Sequence, residues 1–139
     1  MSLGDGQPAA PSPEQLLEHA RRAAARAHAP YSSFRVGAAV VAAGRVFSGC
    51  NVENASYGLS MCAERVAAFK AVSEGCGQLS SVAVSCVDAD AALGPDGRMP
   101  CGACRQVLAE LGGPELLIHV DGVGSFTLAE LLPRAFRLR

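Results

Sequence analysis

The chain has 139 residues, half of them hydrophobic, so it can bury a core and is short enough to form a single domain. Its 12 basic and 13 acidic residues leave a formal charge of −1, which argues against nucleic acid as the main partner because phosphate backbones require a basic surface. No apolar run reaches the roughly 20 residues of a membrane-spanning helix, and the first residues lack the pattern of a signal peptide. We therefore expect a cytoplasmic protein without a membrane partner.

The first folded element is predicted to begin at Ser12. Residues 1–11 are rich in Gly, Pro, Ala and Ser and predict a disordered tail, which leaves residues 12–139 as the single folded domain. Ser12 is a candidate N-cap, because Pro13 follows at the first helical position and Gln15 completes a capping box.

Hydrophobic patterns and turn residues divide the rest of the chain into helices and strands. The predicted helices span residues 13–28, 62–74, 101–111 and 128–132, and the predicted strands span residues 35–41, 45–51, 81–87 and 116–120. The first two strands are separated by a short Ala-Ala-Gly turn and should pair antiparallel. The later strand-helix-strand units favour parallel pairing, with right-handed crossovers that place consecutive crossover helices on one face of the sheet. This order predicts a layered α/β domain.

Three of the six cysteines have the spacing of metal ligands. Without a secretory signal, thiols are expected rather than disulfides. Cys101-Gly-Ala-Cys104 begins one predicted helix, and Cys62 begins another, so both groups are expected at neighbouring helix N-termini. Zinc favours thiolates in a tetrahedral shell, and a catalytic zinc keeps its fourth position for water. We therefore expect Cys62, Cys101 and Cys104 to bind one zinc ion.

Glu64 follows two residues after Cys62 and is a candidate proton shuttle beside that open position. A ligand-x-Glu element followed by Pro-Cys-x-x-Cys resembles the zinc deaminases, in which the glutamate is a general acid and base. The alternative is a surface glutamate favoured by the helix dipole, next to a purely structural zinc. The three histidines have no spaced partner and are expected to be ordinary core or surface residues; they are His19, His28 and His119.

Arg65 is expected to offset the charge of this site. Zinc with three thiolates sums to −1, which opposes ionisation of a bound water, so hydrogen bonds from Arg65 and two helix N-termini would compensate. The alternative is a solvent-exposed helical arginine. The other cysteines are interpreted as small buried or helix-end residues without a catalytic role; they are Cys50, Cys76 and Cys86.

Five segments together resemble the small homotetrameric cytidine deaminases of pyrimidine salvage, over about residues 13–136. These segments are YSSFRVGAAV, GCNVENASY, CAER, PCGACRQVL and ELLPRAF. The resemblance implies a three-layer α-β-α domain with a mixed sheet of roughly five strands. It implies hydrolytic deamination of cytidine and 2′-deoxycytidine to the uridine products and ammonia, through a zinc-bound hydroxide and a Glu64 proton shuttle. It also implies one zinc ion per subunit and active sites shared between subunits.

The resemblance assigns nucleoside contacts within one subunit. Asn51 and Glu53 match the pair that hydrogen-bonds the ribose 3′-hydroxyl, and a carboxylate there would repel a 5′-phosphate. Phe34 matches the aromatic residue that packs against the pyrimidine. Ala63 matches the residue whose backbone binds the edge of the base. Without the family, Phe34 would be interpreted as a core residue and the Asn-Val-Glu-Asn segment as a polar strand end.

Three further residues match positions that act across a subunit interface. Ala55 and Tyr57 match residues that reach another subunit's ribose, and Phe136 matches the aromatic residue that a neighbour contributes. The alternatives are an ordinary surface tyrosine and a core phenylalanine. The loop at residues 88–98, before Met99, is longer than the family pattern.

Two other functions remain open at this point. A related deaminase could act on another cytosine-containing compound, since the zinc elements alone do not choose the substrate. A zinc-stabilised binding module without catalysis would require a fourth protein ligand.

Overall fold

The computed structural model describes residues 10–138, so the tail predicted for residues 1–11 lies almost wholly outside the described residues. The helices are α1 (Pro13–Ala24), α2 (Ala63–Ser73), α3 (Gly102–Gly112) and α4 (Leu128–Leu131). The strands are β1 (Val36–Ala42), β2 (Arg45–Cys50), β3 (Leu79–Cys86), β4 (Leu117–Val120) and β5 (Gly124–Thr127). Two 3-10 turns span Tyr57–Leu59 and Pro95–Arg98. Within the described part of the chain, every helix is too short or too polar to cross a membrane.

The five strands form one mixed sheet in the order β2-β1-β3-β4-β5. β1 pairs antiparallel with β2 and with β3, and Ala39 lies opposite Ser48 on one side and Ala83 on the other. β3 pairs parallel with β4. The antiparallel first hairpin, the parallel later pair and the α/β class are therefore confirmed.

β5 was not assigned from the sequence, and the expectation that the later strands are all parallel is wrong for it. It pairs antiparallel with β4, with Ile118 opposite Phe126. Only residues 121–123 separate the two strands, and Gly122 has a φ of 79°. A parallel neighbour needs a crossover of a dozen or more residues, so this short turn permits only a hairpin.

Helix α1 covers one face of the sheet. Its Leu16 and Ala20 pack with Ala39, Val41 and Ala83 in a separate apolar cluster. The helix approaches β1 closely at Gly37, where an added Cβ atom would lie 1.8 Å from the carbonyl oxygen of Ala20. A residue without a side chain is therefore needed there.

Helices α2 and α3 cover the opposite face. Ala67 and Leu108 belong to the main core with Val40, Val82 and Val84 of the sheet. Since β2 and β3 are both antiparallel to β1, α2 connects two parallel strands, and α3 connects the parallel pair β3 and β4. Both crossovers proceed in the same direction along the sheet, so right-handed connections place both helices on one face, as predicted. The three-layer α-β-α architecture is confirmed.

Helix α1 begins as predicted and ends earlier. The Ser12 hydroxyl accepts a hydrogen bond from the Gln15 amide at 3.1 Å, and the Gln15 side chain accepts one from the Ser12 amide at 2.8 Å. The helix ends at Ala24 rather than residue 28, because the chain leaves it to pair with the segment after β2. There the His28 amide donates to the Asn51 carbonyl at 3.0 Å, and the Glu53 amide donates to the His28 carbonyl at 2.8 Å.

Candidate active site

Three thiols meet where α2 and α3 begin side by side. Cys62 is the N-cap of α2, Cys101 is the N-cap of α3, and Cys104 lies in the first turn of α3. The Cys62 and Cys101 sulfurs are 3.8 Å apart, the Cys101 and Cys104 sulfurs are 3.6 Å apart, and all three lie within 4.8 Å of one another. The sequence placed Cys62 inside the helix, whereas the structure places it one position before the helix, where its side chain is free to turn toward α3.

The spacing of the sulfurs fits a zinc ion. Tetrahedral zinc with Zn–S bonds of about 2.3 Å holds its sulfur ligands about 3.8 Å apart. The two measured sulfur separations of 3.8 and 3.6 Å therefore need little adjustment to bind one ion. Among the described residues, these cysteines are the group of potential ligands that could hold a metal, and the donor set matches the preference of zinc for thiolates.

The surroundings of the cluster favour thiolates. A hydrogen bond from the Cys104 thiol, with further ones from Arg65 and Cys101, holds the pKa of Cys62 at about 5. The same contact, together with burial, raises the pKa of Cys104, so Cys62 is the first of the pair to lose its proton. The N-terminal ends of two helices add partial positive charge beside the sulfurs.

Arg65 is half-buried and contacts the cluster. Its Nη2 lies 3.4 Å from the Cys62 sulfur, and this contact raises the pKa of the guanidinium, which therefore stays charged. Its Nε is buried without a hydrogen-bond partner. Arg65 is thus held against the thiols rather than exposed to solvent as the alternative interpretation required.

Glu64 lies in the first turn of α2 and is only 5% exposed. Burial raises the pKa of its carboxyl to about 7, and the Cys62 thiolate adds to this effect. A carboxyl with a pKa near neutrality can both accept and return a proton at physiological pH. Glu64 therefore has the electrostatic character of a general acid and base.

A cavity of about 400 Å³ is lined by Glu64 and by two of the thiols, Cys62 and Cys101. Its lining includes five of the seven residues proposed to contact a substrate: Phe34, Asn51, Glu53, Tyr57 and Ala63. The other two, Ala55 and Phe136, are exposed and do not line it. The side chain of Phe136 is 69% exposed and that of Tyr57 is 77% exposed, so neither is a core aromatic.

Two polar side chains in the lining are fixed by the backbone around them. The Asn51 amide group donates to the Phe34 carbonyl at 2.9 Å and accepts from the Val36 amide at 2.9 Å. The Glu53 carboxylate accepts from the Tyr31 and Ser32 amides at 3.1 Å each, and also from the Ser32 hydroxyl. The Ser32 hydrogen bond lowers the pKa of Glu53, which therefore stays ionised. Asn51 retains one N–H and one lone pair for a ligand.

Sequence reasoning missed part of the lining. Cys86, interpreted as a small buried residue, lies in the cavity wall beside Val84, and burial raises its pKa to about 11, so it remains a neutral thiol. Positions 84 and 86 share one face of β3, and this alternation is the signal that could have identified Cys86. Gly97 and Arg98 also line the cavity, through a loop whose path no local pattern predicts.

His119, which lies in the sheet, makes a structural hydrogen-bond contact and is not part of the thiol site. His119 is buried in β4, where its Nδ1 lies 2.7 Å from the Ser125 hydroxyl and burial lowers its pKa.

The fold and site together define a zinc-binding deaminase class: an α-β-α domain with three thiols at two adjacent helix starts and a buried glutamate two residues after the first thiol.

The comparisons with known proteins agree with this class. Residues 11–120 match the model of the cytidine and deoxycytidylate deaminase zinc-binding region. The cytidine deaminase of Mycobacterium tuberculosis is 51% identical over 124 residues, which cover 88% of each chain, and that of Sporosarcina psychrophila is 42% identical over 88% of this chain and 90% of its own.

Solved structures show the same relationship. The crystal structure of cytidine deaminase from Burkholderia pseudomallei superposes with a TM-score of 0.79 at 44% identity, covering 91% of this chain and 100% of that one. The crystal structure of cytidine deaminase from Mycobacterium tuberculosis gives a TM-score of 0.75 at 46% identity, and the match covers 90% of this chain and 97% of that one. The chain belongs to the cytidine and deoxycytidylate deaminase family.

Proposed function

We propose that the protein hydrolyses cytidine and 2′-deoxycytidine to uridine and 2′-deoxyuridine with release of ammonia. The observation that carries this proposal is a cavity of about 400 Å³ lined by the buried Glu64 and by Cys62 and Cys101, two members of the three-thiol cluster. A cavity of this size suits a ligand of nucleoside dimensions. Relatives named cytidine deaminase over most of the chain support the choice of substrate.

Cys62, Cys101 and Cys104 would hold one zinc ion per subunit. When bound, zinc supplies a Lewis acid that lowers the pKa of a water molecule at its open position. Arg65 holds the Cys62 sulfur in place and offsets the negative charge of the thiolates.

Glu64 moves the protons of the reaction. In its ionised form the carboxylate takes a proton from the attacking water and passes it to ring N3 of the base as the C4–O bond forms. It then takes the proton of the new C4 hydroxyl and delivers it to the amino group, so that the C4=O bond of the product forms as the C4–N bond breaks and ammonia leaves. A pKa of about 7 allows the same carboxyl to act in both directions.

Asn51 and Glu53 bind the sugar. The remaining N–H of Asn51 donates to a ribose hydroxyl, and the ionised Glu53 accepts from one. The negative charge of Glu53 would repel a 5′-phosphate, which favours nucleosides over nucleotides. Phe34 packs against the pyrimidine, and the backbone at Ala63 binds the edge of the base, since both residues line the cavity.

The direct test is cytidine turnover combined with metal analysis. The purified protein should contain one zinc per chain and release ammonia from cytidine. The Glu64→Gln variant should keep its zinc and lose turnover by about two orders of magnitude or more. A fully active variant would refute the role of Glu64, and a zinc-loaded wild type without activity on either nucleoside would refute the proposed function.

We also propose a homotetramer with active sites shared between subunits. Phe136 is anchored by a hydrogen bond from Gln106 to its carbonyl at 3.0 Å, yet its side chain projects from the surface, as do those of Tyr57 and Leu138. Exposed apolar side chains at fixed positions are typical of an interface. Ala55 and Tyr57 would reach a neighbour's ribose, and Phe136 would complete a neighbour's cavity.

Subunit mixing tests the shared site. Glu64→Gln and Phe136→Ala homo-oligomers should each be weakly active, and co-refolded mixtures should recover activity because some sites combine Glu64 of one subunit with Phe136 of another. An active monomer by light scattering, or mixtures no more active than the separate variants, would contradict the arrangement. A role in pyrimidine salvage and a cytoplasmic location stay predictions.

A further inference from the structure

The loop that joins β3 to α3 forms one wall of the cavity. Its residues 97–99 line the cavity and lead through Pro100 to Cys101, at the end of the cavity nearest the metal ligands. Phe34, in the segment before β1, lines the same cavity. The width of the cavity at the metal end therefore depends on where this loop lies relative to the segment that carries Phe34.

One ion pair joins the loop to the segment that carries Phe34. Asp88, at the start of the loop, accepts hydrogen bonds from the backbone amide of Arg35 at 2.8 Å and from its Nε and Nη2 at 2.9 and 2.8 Å. Arg35 directly follows Phe34 in the chain. The three contacts fix both the backbone and the side chain of Arg35, so a displacement of the loop at Asp88 is transmitted to the neighbour of Phe34.

The other end of the loop is held by Arg98. Its Nη2 donates to the Asp90 carbonyl at 2.8 Å and approaches the Leu93 carbonyl at 3.4 Å. Its own carbonyl accepts a contact from the Cys86 thiol at 3.9 Å. The guanidinium thus links Arg98 to loop residues five and eight positions before it, and Arg98 itself lines the cavity.

Packing of side chains inside the loop limits how far its cavity-lining residues can move. An added Cβ atom on Gly97 would lie 2.4 Å from Cδ1 of Leu93, so the Leu93 side chain packs directly against the cavity-lining backbone. Leu93 is in turn positioned by the Asp90 side chain, which accepts from the Leu93 amide at 3.2 Å. Arg98 is therefore connected through Leu93 to the cavity-lining backbone of Gly97 as well as to the exposed part of the loop.

We propose that Arg98 and the Arg35–Asp88 pair are positioning residues that set the width of the cavity beside the amino-bearing edge of the base, and so determine which substituents on that edge are accepted. The inference rests on the proposed function, because it assumes that the 4-amino group faces the metal end. The loop wall then excludes cytidines that carry an additional group on the amine. Without Arg98, the wall relaxes, the base is held less firmly, and the bulkier substrate is rejected less strongly.

The test compares cytidine with N4-methylcytidine for the wild type, Arg98→Ala, Arg98→Lys and the control Arg26→Ala. Arg26 is an exposed arginine that does not line the cavity. Arg98→Ala should keep its zinc, raise the KM for cytidine about fivefold or more with kcat changed less than about twofold, and raise the relative kcat/KM for N4-methylcytidine about threefold or more. Arg98→Lys should restore part of both effects, since a lysine can still donate to the Asp90 carbonyl. If Arg98 had only a structural role, Arg98→Ala would lower the melting temperature without altering the kcat/KM for N4-methylcytidine relative to that for cytidine.

Other results would overturn the proposed role of Arg98, and one of them would also overturn the proposed function. Arg98→Ala kinetics equal to those of Arg26→Ala with both substrates, or a loss of kcat at constant KM, would overturn the inference and leave the proposed function intact. A wild type that does not deaminate cytidine would overturn both. If Arg98→Ala does not fold, Asp88→Asn replaces it, because this variant changes one carboxylate oxygen at the other end of the loop. Asp88→Asn should show the same rise in KM for cytidine and in the kcat/KM for N4-methylcytidine relative to cytidine. Unchanged values for Asp88→Asn would refute the role of the loop.

Discussion

Replacing Gly49 by alanine tests how strictly the thiol cluster depends on the packing of α2 against β2. An added Cβ atom would lie 2.6 Å from the backbone nitrogen of Ala67, whereas ordinary van der Waals contact begins at 3.4 Å. The helix must therefore move by about 0.8 Å, the difference between these distances. Overpacking of this kind costs about 1–3 kcal/mol and lowers the melting temperature of a chain of this size by about 4–12 °C.

The same displacement should reach the metal ligands. Cys62 is the N-cap of the helix that must move, so the position of its sulfur relative to the sulfurs of α3 should change. We expect Gly49→Ala to weaken zinc binding about tenfold or more, as loss of the groups that orient a ligand does. Zinc affinity is measured by competition with a chromophoric chelator at a temperature where the protein is folded, and stability is measured by calorimetry.

Two other glycines provide the controls. Gly37→Ala would press on α1, which carries none of the thiols, so it should lower the melting temperature without a matching loss of zinc affinity. Gly77→Ala would meet only a side-chain methyl group of Val72 at 3.9 Å and should change neither property. The reasoning is refuted if Gly49→Ala behaves like Gly77→Ala, or if Gly37→Ala weakens zinc binding as much as Gly49→Ala does.

Three further predictions concern the site and the sheet. Arg65→Ala should lower zinc affinity about 10–100-fold and reduce turnover, and unchanged values in chelator competition and kinetics would remove its charge-offsetting role. Cys104→Ser should abolish stoichiometric zinc in metal analysis, whereas Cys76→Ser should retain it, and zinc retained by the first variant would contradict the ligand set. Hydrogen bonds from Arg21 lower the pKa of Asp121, so the pair stabilises the fold above the ordinary aspartate pKa of 3.8 and loses this contribution as the pH falls below it. Urea midpoints at pH 7 and pH 3 should therefore differ less for Asp121→Asn than for the wild type, and equal differences would refute this.

The parts of the fold that local chemistry determines were predictable. The capping box at Ser12 involves residues three positions apart and forms as the sequence indicates, and the structure shows a second one between Thr127 and Glu130. The end of α1 was not predictable, because the chain leaves the helix after Ala24 and His28 then pairs with a segment more than twenty residues away. β5 was not predicted because Gly-Ser-Phe-Thr is too short and polar to show an alternating pattern. The strand forms through its antiparallel pairing with β4, which the local sequence does not indicate.

The site divides in the same way. Cys62 and Cys101 each lie at a helix start that the sequence marks, and the layered fold then brings the two starts together. The hydrogen bonds that fix Asn51 to the backbone around Phe34 depend on the register of β1 against β2, which no motif encodes. Arg98 contributes through the path of an irregular loop, so sequence spacing gives no sign of its contacts.

The charges around the thiols explain why Glu64 and Arg65 occur together. Zinc with three thiolates carries −1, two helix N-termini add about +0.5 each, and Arg65 adds one further positive charge. An ionised Glu64 then brings the surroundings close to neutrality, which offsets part of the cost of burying its carboxylate. Removing Arg65 would leave one positive charge less and favour the protonated carboxyl, which cannot accept a proton from water. We therefore expect Arg65 to act on the proposed base as well as on the proposed ligands, and its loss to reduce kcat even in molecules that retain zinc.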